Sequence, residues 1–282
     1  MKKILHFLLT KCIGLYINLL SFVFPSKASR IAYALFSEPR EGKLSKANLP
    51  KILQEAQLET FQDDENSFHT YTWHGNDRII LLVHGWESNA SRWEKFIPYL
   101  KKSGSTVIAI DGPAHGLSSG KEFSIPKYAE FIHIAVKKFK PQYLVGHSLG
   151  GKTCLYYQSV YQNNAIKKMV ILGSPSDFKV ILNNYIALLS LNTKISHSLE
   201  MHYLNHFKLN IAQFSGKLFA SKINVTGFIA HDIDDTVVLF EEGKKIASSW
   251  KNAVLMETKG LGHSMHDDEL YQKVSNFLFE EQ

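Results

Sequence analysis

Gly146-His147-Ser148-Leu149-Gly150 is the segment of this chain with the clearest capacity for covalent chemistry. A serine hydroxyl is a weak nucleophile until a base takes its proton, and its backbone setting decides whether a substrate can reach it. Tyr143-Leu144-Val145 precedes the pentapeptide as a buried-strand run, and Gly151-Lys152-Thr153-Cys154-Leu155-Tyr156 follows it with helical character. A sharp strand-to-helix turn with serine at its apex holds the hydroxyl above a sheet edge in a strained conformation, and the flanking glycines let strand and helix approach each other. Without that context the same serine merely caps a helix. With it, Ser148 is the expected nucleophile.

The base expected to serve it is His263, in Gly260-Leu261-Gly262-His263-Ser264, which follows the last strand-like run and so emerges at the same sheet edge. His266 is the neighbouring competitor; it lies closer to the final helix and is read as solvated. The base in turn needs an acid to fix its tautomer and stabilise the imidazolium. His231-Asp232-Ile233-Asp234-Asp235-Thr236-Val237-Val238 offers three carboxylates in one loop, so composition does not force the choice. Asp235 is preferred because an apolar turn follows it and would hold it inward, whereas Asp232 and Asp234 read as solvated loop charges; Asp177, after the preceding strand, is a further candidate. For the oxyanion of a tetrahedral intermediate, the expected donors are the backbone N–H of Trp86, in Val83-His84-Gly85-Trp86, and that of Leu149 at the helix start.

These residues need a sheet to bring them together. Ile79-Ile80-Leu81-Leu82-Val83 is a continuous apolar run of the kind buried on both faces of a parallel sheet. Similar runs occur at 106–110, 143–145, 169–172, 225–230 and 253–256, while 67–73 alternates like a half-buried strand. Helical patterns lie between most of them, at 93–101, 125–139, 149–162 and 239–250, and a last one spans 267–279. This alternation predicts an α/β chain with a parallel sheet, whose ligands bind beyond the carboxyl ends of the strands. The connection between 172 and 225 is too long for a simple crossover and has helical periodicity of its own, which predicts an inserted helical lid at about 177–218.

At 282 residues, 45% hydrophobic and 21% charged, the chain is long enough for one sizeable core and too ordinary in composition for disorder or a coiled coil. The formal charge of +6 comes from scattered lysines; with no basic arm and no zinc-finger spacing, nucleic acid is not an expected partner. Cys12 and Cys154 make no disulfide framework and read as cytosolic thiols. His197, His202 and His206 fall in the insertion, the last two four residues apart, but the H-E-x-x-H form is absent and no metal is expected. Gly146, Gly150 and Gly151 ahead of Lys152-Thr153 are not taken as a nucleotide loop, so no cofactor is expected either.

Residues 1–60 stand apart as an N-terminal helical segment, with a second short helix at 28–36 that ends before Pro39. Residues 4–24 are strongly apolar behind Lys2 and Lys3, which suits a signal peptide or a membrane span, but Lys11 interrupts the run for both. His6, Thr10, Gly14 and Asn18 recur every four residues as a narrow polar stripe. The preferred reading is an uncleaved helix that packs on the domain or makes peripheral contact with a membrane, at the inner face for a cytoplasmic protein. Export, with Ser26-Lys27-Ala28 as the cleavage site, stays open as the alternative.

His84-Gly85-Trp86, Asp111-Gly112-Pro113-Ala114-His115-Gly116-Leu117-Ser118, the 146–150 pentapeptide, the 231–238 loop and Gly262-His263 together resemble, in order and spacing, the motifs of the α/β-hydrolase superfamily over residues 67–282. The resemblance implies an α/β-hydrolase fold at 61–282, a mostly parallel eight-stranded sheet flanked by helices with the lid after the sixth strand. It also implies the order Ser148, Asp235, His263 as nucleophile, acid and base. Ala114 stands where a glycine is common in the family, a loop variation of small consequence. Serine at the elbow separates the chain from haloalkane dehalogenases and epoxide hydrolases, which resemble the pattern but carry aspartate there. The fold does not name the substrate. Phe178, Tyr185, Met201, Tyr203 and Phe207 in the insertion suggest an apolar pocket, hence an acyl or aryl ester of small to medium size; gluing the lid to the body is their alternative role. The competing functional readings are a membrane-associated lipase, lysophospholipase or thioesterase, and a non-catalytic ligand-binding member of the fold.

Overall fold

The computed structural model of the chain describes residues 2–63 and 66–280, which form two compact units, one of residues 2–38 with 177–215 and one of 39–63 with 66–176 and 216–280. The helices are α1 (Lys2–Val23), α2 (Pro25–Ser37), α3 (Lys51–Gln54), α4 (Ile97–Lys101), α5 (Ile125–Phe139), α6 (Leu149–Tyr161), α7 (Phe178–Leu189), α8 (Thr193–Phe207), α9 (Gly216–Ala220), α10 (Phe240–Ala247) and α11 (Asp268–Phe279). The strands are β1 (Gln57–Asp63), β2 (Asn66–Trp73), β3 (Asn76–Val83), β4 (Ser105–Ile110), β5 (Tyr143–His147), β6 (Lys168–Leu172), β7 (Thr226–Asp232) and β8 (Ala253–Thr258).

The larger unit is an eight-stranded sheet in the order β1-β2-β4-β3-β5-β6-β7-β8. Strand β2 runs antiparallel to β1 and β4, and every other pairing is parallel. This is the α/β-hydrolase architecture that the motifs imply. The apolar run of β3 lies at its centre: Ile80, Leu81, Leu82 and Val83 are at most 1% exposed, each contributing about 1.5–3 kcal/mol by burial. Strand β1 escapes a reading by apolar runs because it is an edge strand, half-exposed and carrying Glu59 and Asp63.

Register aligns the strand ends. Val83 lies opposite Ile110 and Gly146, His147 opposite Leu172, Leu172 opposite Ala230, and Asp232 opposite Thr258. The carboxyl ends of β3 to β8 therefore stop level along one edge, and the segments that leave them share a small region of space. Local chemistry fixes the helices that follow. The Ser124 hydroxyl accepts the Lys127 N–H at the start of α5 (3.3 Å), and the Asp267 carboxylate accepts the Leu270 N–H at the start of α11 (2.7 Å).

The smaller unit packs α1 and α2 with α7 and α8. Residues 39–60 of the expected N-terminal segment, and α9 within the expected insertion, belong instead to the sheet unit. Among the described residues no helix is long and apolar enough to cross a membrane.

Candidate active site

Strand β5 runs into α6 through Ser148, whose φ of 53° and ψ of −126° lie where an L-residue is strained. The turn closes because nothing projects from its glycines: a Cβ on Gly146 would come within 2.6 Å of the Gly151 Cα. Ser148 is 7% exposed, and its N–H donates to the Leu172 carbonyl (2.9 Å), tying the apex to the end of β6.

The Ser148 Oγ lies 2.9 Å from His263 Nε2, and His263 Nδ1 lies 2.8 Å from Asp235 Oδ2. A carboxylate can only accept, so Nδ1 carries the imidazole proton and Nε2 is left to accept the serine hydroxyl. Burial pushes the Asp235 carboxyl up, but the His263 hydrogen bond and the N–H groups of Val238 and Val237 outweigh it and hold it below the usual carboxylate range. Those two N–H groups donate to the other oxygen, Oδ1, at 2.9 and 2.8 Å. The carboxylate is thus oriented by backbone; Val237 itself is 63% exposed, so side-chain packing is not what turns Asp235 inward.

The turn after β3 brings Trp86 to the same place. A Cβ on Gly85 would come within 2.8 Å of the Ser148 Cβ, so glycine is required for this approach. Among the described residues, neither the Trp86 N–H nor the Leu149 N–H has an acceptor in the protein. Two histidines that the sequence shows only as motif letters brace this turn. His84 Nε2 accepts the Gly112 N–H (2.8 Å), so its Nδ1 carries the proton and donates to the Gly85 carbonyl (2.7 Å). His115 Nε2 accepts the Glu87 N–H (2.9 Å) and its Nδ1 donates to the Pro113 carbonyl (2.8 Å). Both rings are buried and therefore neutral; burial lowers His84 well below the usual imidazole range and His115 to about 4. In the same loop Ala114 has a φ of 62°, which gives the family's glycine there a physical reason and makes the alanine a strained substitute.

Four side chains, Asp232, Asp234, His147 and Arg92, support the loop that carries His263, and no motif shows that they do so. Asp232 Oδ2 accepts the Leu261 N–H (3.0 Å) and the Thr258 hydroxyl (2.8 Å), and its Oδ1 accepts the Asp234 N–H (3.0 Å). Asp232 is 0% exposed, which corrects its reading as a solvated charge. Asp234 is exposed as expected, though its Oδ2 accepts the Gly260 N–H (3.2 Å). His147 Nε2–H donates to the His263 carbonyl (2.8 Å), and the Arg92 guanidinium donates to the Ser264 carbonyl (2.6 Å). His266 is also corrected: it is half-buried, hydrogen-bonded through Nδ1 to the Tyr271 hydroxyl, and lowered to about 4 by burial and by Arg92 and Lys95.

The remaining candidates have other partners. Residues 146–153 do satisfy the G-x-x-x-x-G-K-T spacing of a phosphate loop, but Lys152 is fully buried and its Nζ donates to the Ser176 carbonyl instead of facing a ligand. Asp177 bonds through Oδ1 to the Ser215 hydroxyl (2.6 Å). Phe178, Tyr185, Met201, Tyr203 and Phe207 lie in the smaller unit. There Phe178 and Tyr203 are buried, with ring centroids 4.9 Å apart, Phe207 stacks on Tyr203 (5.5 Å), and the Tyr185 hydroxyl donates to the Ala32 carbonyl (2.7 Å). Met201 is half-buried on α8. His202 rests on Tyr33 (3.8 Å) and stacks with His206 (5.4 Å).

A family model described as the α/β hydrolase fold matches residues 78–220. A bifunctional esterase/perhydrolase of Acinetobacter calcoaceticus is 26% identical over 235 residues, 66% of this chain and 85% of that protein. A serine hydrolase-like protein of Danio rerio is 31% identical over 103 residues, 34% of this chain, and the match spans only 31% of that relative. Among solved structures, a bromoperoxidase from Bacillus anthracis superposes with a TM-score of 0.62 at 18% identity, over 80% of this chain and 100% of that one, a likeness of fold.

Proposed function

The chain belongs to the α/β-hydrolase fold family, and from that premise we propose that it is a serine hydrolase cleaving a carboxylic ester, acyl or aryl and of small to medium size, through an acyl-enzyme. The observation that carries this reading is the Ser148–His263–Asp235 relay, with contacts of 2.9 and 2.8 Å. Ser148 Oγ attacks the ester carbonyl carbon while its proton passes to His263 Nε2. The ionised Asp235 stabilises the imidazolium, and the carbonyl oxygen, now an anion, takes hydrogen bonds from the N–H groups of Trp86 and Leu149. The imidazolium then returns its proton to the departing alkoxide, leaving the acyl group on Ser148. Water, deprotonated by the same histidine, attacks the acyl-enzyme and releases the carboxylic acid and free serine. General base catalysis of this kind contributes about 10²–10⁴-fold, and each oxyanion donor about 3 kcal/mol.

The Acinetobacter relative is itself an esterase and perhydrolase, which supports the choice of substrate class. A non-catalytic binding member would have no use for a strained serine within reach of a correctly protonated base. The test is hydrolysis of p-nitrophenyl esters from acetate to palmitate by the wild type and Ser148→Ala. The expected result is turnover with preference for the short to medium chains, lost by about 10⁴-fold or more in the variant. Equal rates in the two proteins, or no labelling of the wild type by a fluorophosphonate, would overturn the proposal.

A further inference from the structure

Helix α1 turns the wrong face outward for a helix surrounded by water. Its protein-facing side is the polar stripe: Thr10, Gly14 and Ser21 are buried beside Ile17. The Lys11 ammonium caps the carbonyl end of α7, donating to Ala187 O (3.2 Å), Leu188 O (2.8 Å) and the Ser190 hydroxyl (2.8 Å). Asn18 donates to the Ser190 carbonyl and accepts the Asn192 N–H, each at 2.8 Å, and Ser21 accepts from the Asn192 amide at 3.0 Å. The lysine that breaks the apolar run is therefore a packing residue.

The opposite side is apolar and uncovered. Leu8, Leu15, Tyr16, Leu19, Phe22 and Val23 are each 53–73% exposed, and at 100° per residue they fall on one arc of about 120°. Leu188 of α7, whose carbonyl Lys11 caps, is itself 58% exposed. A continuous apolar face of this size marks an interaction site.

Charge decides the occupant. The smaller unit holds eight lysines and arginines against three carboxylates, most of the chain's net charge of +6, and the exposed Lys27 and Arg30 directly follow the end of α1. A second copy meeting this face symmetrically would bring two basic surfaces together, which is unfavourable. An anionic lipid surface complements both the charge and the apolar arc. We infer that α1 is an in-plane membrane anchor, its exposed arc sunk among the acyl chains at the surface of an anionic bilayer and its polar stripe bolted to α7. The inference stands apart from the choice of ester.

Cys12 lies within the arc and is exposed, whereas Cys154 is buried, so the full chain can be labelled at Cys12 with an environment-sensitive nitrobenzoxadiazole dye. The labelled protein is titrated with vesicles of phosphatidylcholine, alone or with about one-third phosphatidylglycerol, and the same vesicles are used for co-sedimentation of unlabelled protein. Expected are blue-shifted emission on vesicle addition, about tenfold tighter binding to the anionic vesicles, and weakening of that preference by salt. The Leu15→Gln/Leu19→Gln/Phe22→Gln variant should lose vesicle binding at least about tenfold while keeping its circular dichroism and its rate on a soluble ester. Wild type that stays in the supernatant with unshifted dye overturns the inference. So does a dye shift that needs no vesicles but follows protein concentration, with a dimer in sedimentation velocity that the triple variant abolishes: a second copy then covers the face.

Discussion

Asp235→Asn separates a positioned acid from a merely buried one. In the wild type, Asp235 Oδ1 is held by the N–H groups of Val237 and Val238 at 2.8 and 2.9 Å, leaving Oδ2 to face His263 Nδ1 at 2.8 Å. An asparagine has one oxygen, and the two backbone donors claim it. Its NH₂ must then face Nδ1, which can pair only by giving up its proton. The proton moves to Nε2, so that nitrogen can no longer accept from Ser148 Oγ. If the change cost only one hydrogen bond to a charged partner, about 1.5–3 kcal/mol, the rate would fall roughly ten- to a hundredfold. A reversed tautomer costs more, about 10⁴-fold or roughly 5.5 kcal/mol. We therefore expect kcat on p-nitrophenyl butyrate to fall by about 10⁴, with the melting temperature within a few degrees of wild type because the asparagine keeps both backbone contacts. Proton NMR supplies an independent readout: the downfield signal of His263 Nδ1–H should vanish. A loss below a hundredfold, with that signal retained, would refute the tautomer argument and reopen the choice of acid.

Ser148→Gly should abolish hydrolysis yet raise stability by about 1 kcal/mol in urea unfolding, since it releases backbone strain worth about 1–3 kcal/mol against a glycine entropy cost of about 0.5–1; a destabilised variant would mean that the φ of 53° carries no strain. Asp232→Ala should lower stability by about 3 kcal/mol, because the donors from Thr258, Leu261 and Asp234 lose their buried acceptor, and should also lower kcat through the loosened 261–263 loop. Unchanged kcat in a destabilised variant would limit Asp232 to a structural role. Stability should also fall with acid. His115 and His266 are lowered to about 4, and His84 and His147 are held well below the usual imidazole range by burial, so the unfolded chain binds protons that the folded chain refuses; their contribution is complete above pH 6.5 and is lost as pH falls toward 4. Asp111, raised to about 6 by burial, acts in the opposite sense as pH falls below 6 but is one group against four. Urea unfolding at pH 5 should therefore give a free energy at least about 3 kcal/mol below that at pH 7.5, and a flat profile would show that these rings are not held neutral.

The legible part of this molecule is what one strand and its next few residues can express. The apolar runs announce the parallel strands, and the pentapeptide between a run and a helix announces the turn at Ser148. What stays hidden is support that arrives from far along the chain. His147 reaches the His263 carbonyl across 116 residues, Arg92 reaches the Ser264 carbonyl across 172, and Asp232 braces Leu261 from 29 residues away. No periodicity or motif encodes such contacts, because each depends on strand order. Asp232 and Asp235 look alike in the sequence; the fold tells them apart by the backbone N–H groups it turns toward each and by the side chain each receives, Thr258 for Asp232 and His263 for Asp235.

Helix α1 makes the same limit sharper. A stripe every four residues tells how many faces a helix has and which residues share one, but the sense of the helix depends on what lies beside it. Hydrophobicity alone would turn the leucines inward and Lys11 to solvent. The opposite arrangement holds because Lys11 and Asn18 find the open carbonyl end of α7, where a cation and an amide satisfy acceptors that a leucine could not. Polar satisfaction at one helix terminus thus selects the face, and the leucines are left outward. That outcome is stable in water only at the cost of an uncovered apolar surface, which an anionic bilayer removes and buffer alone does not.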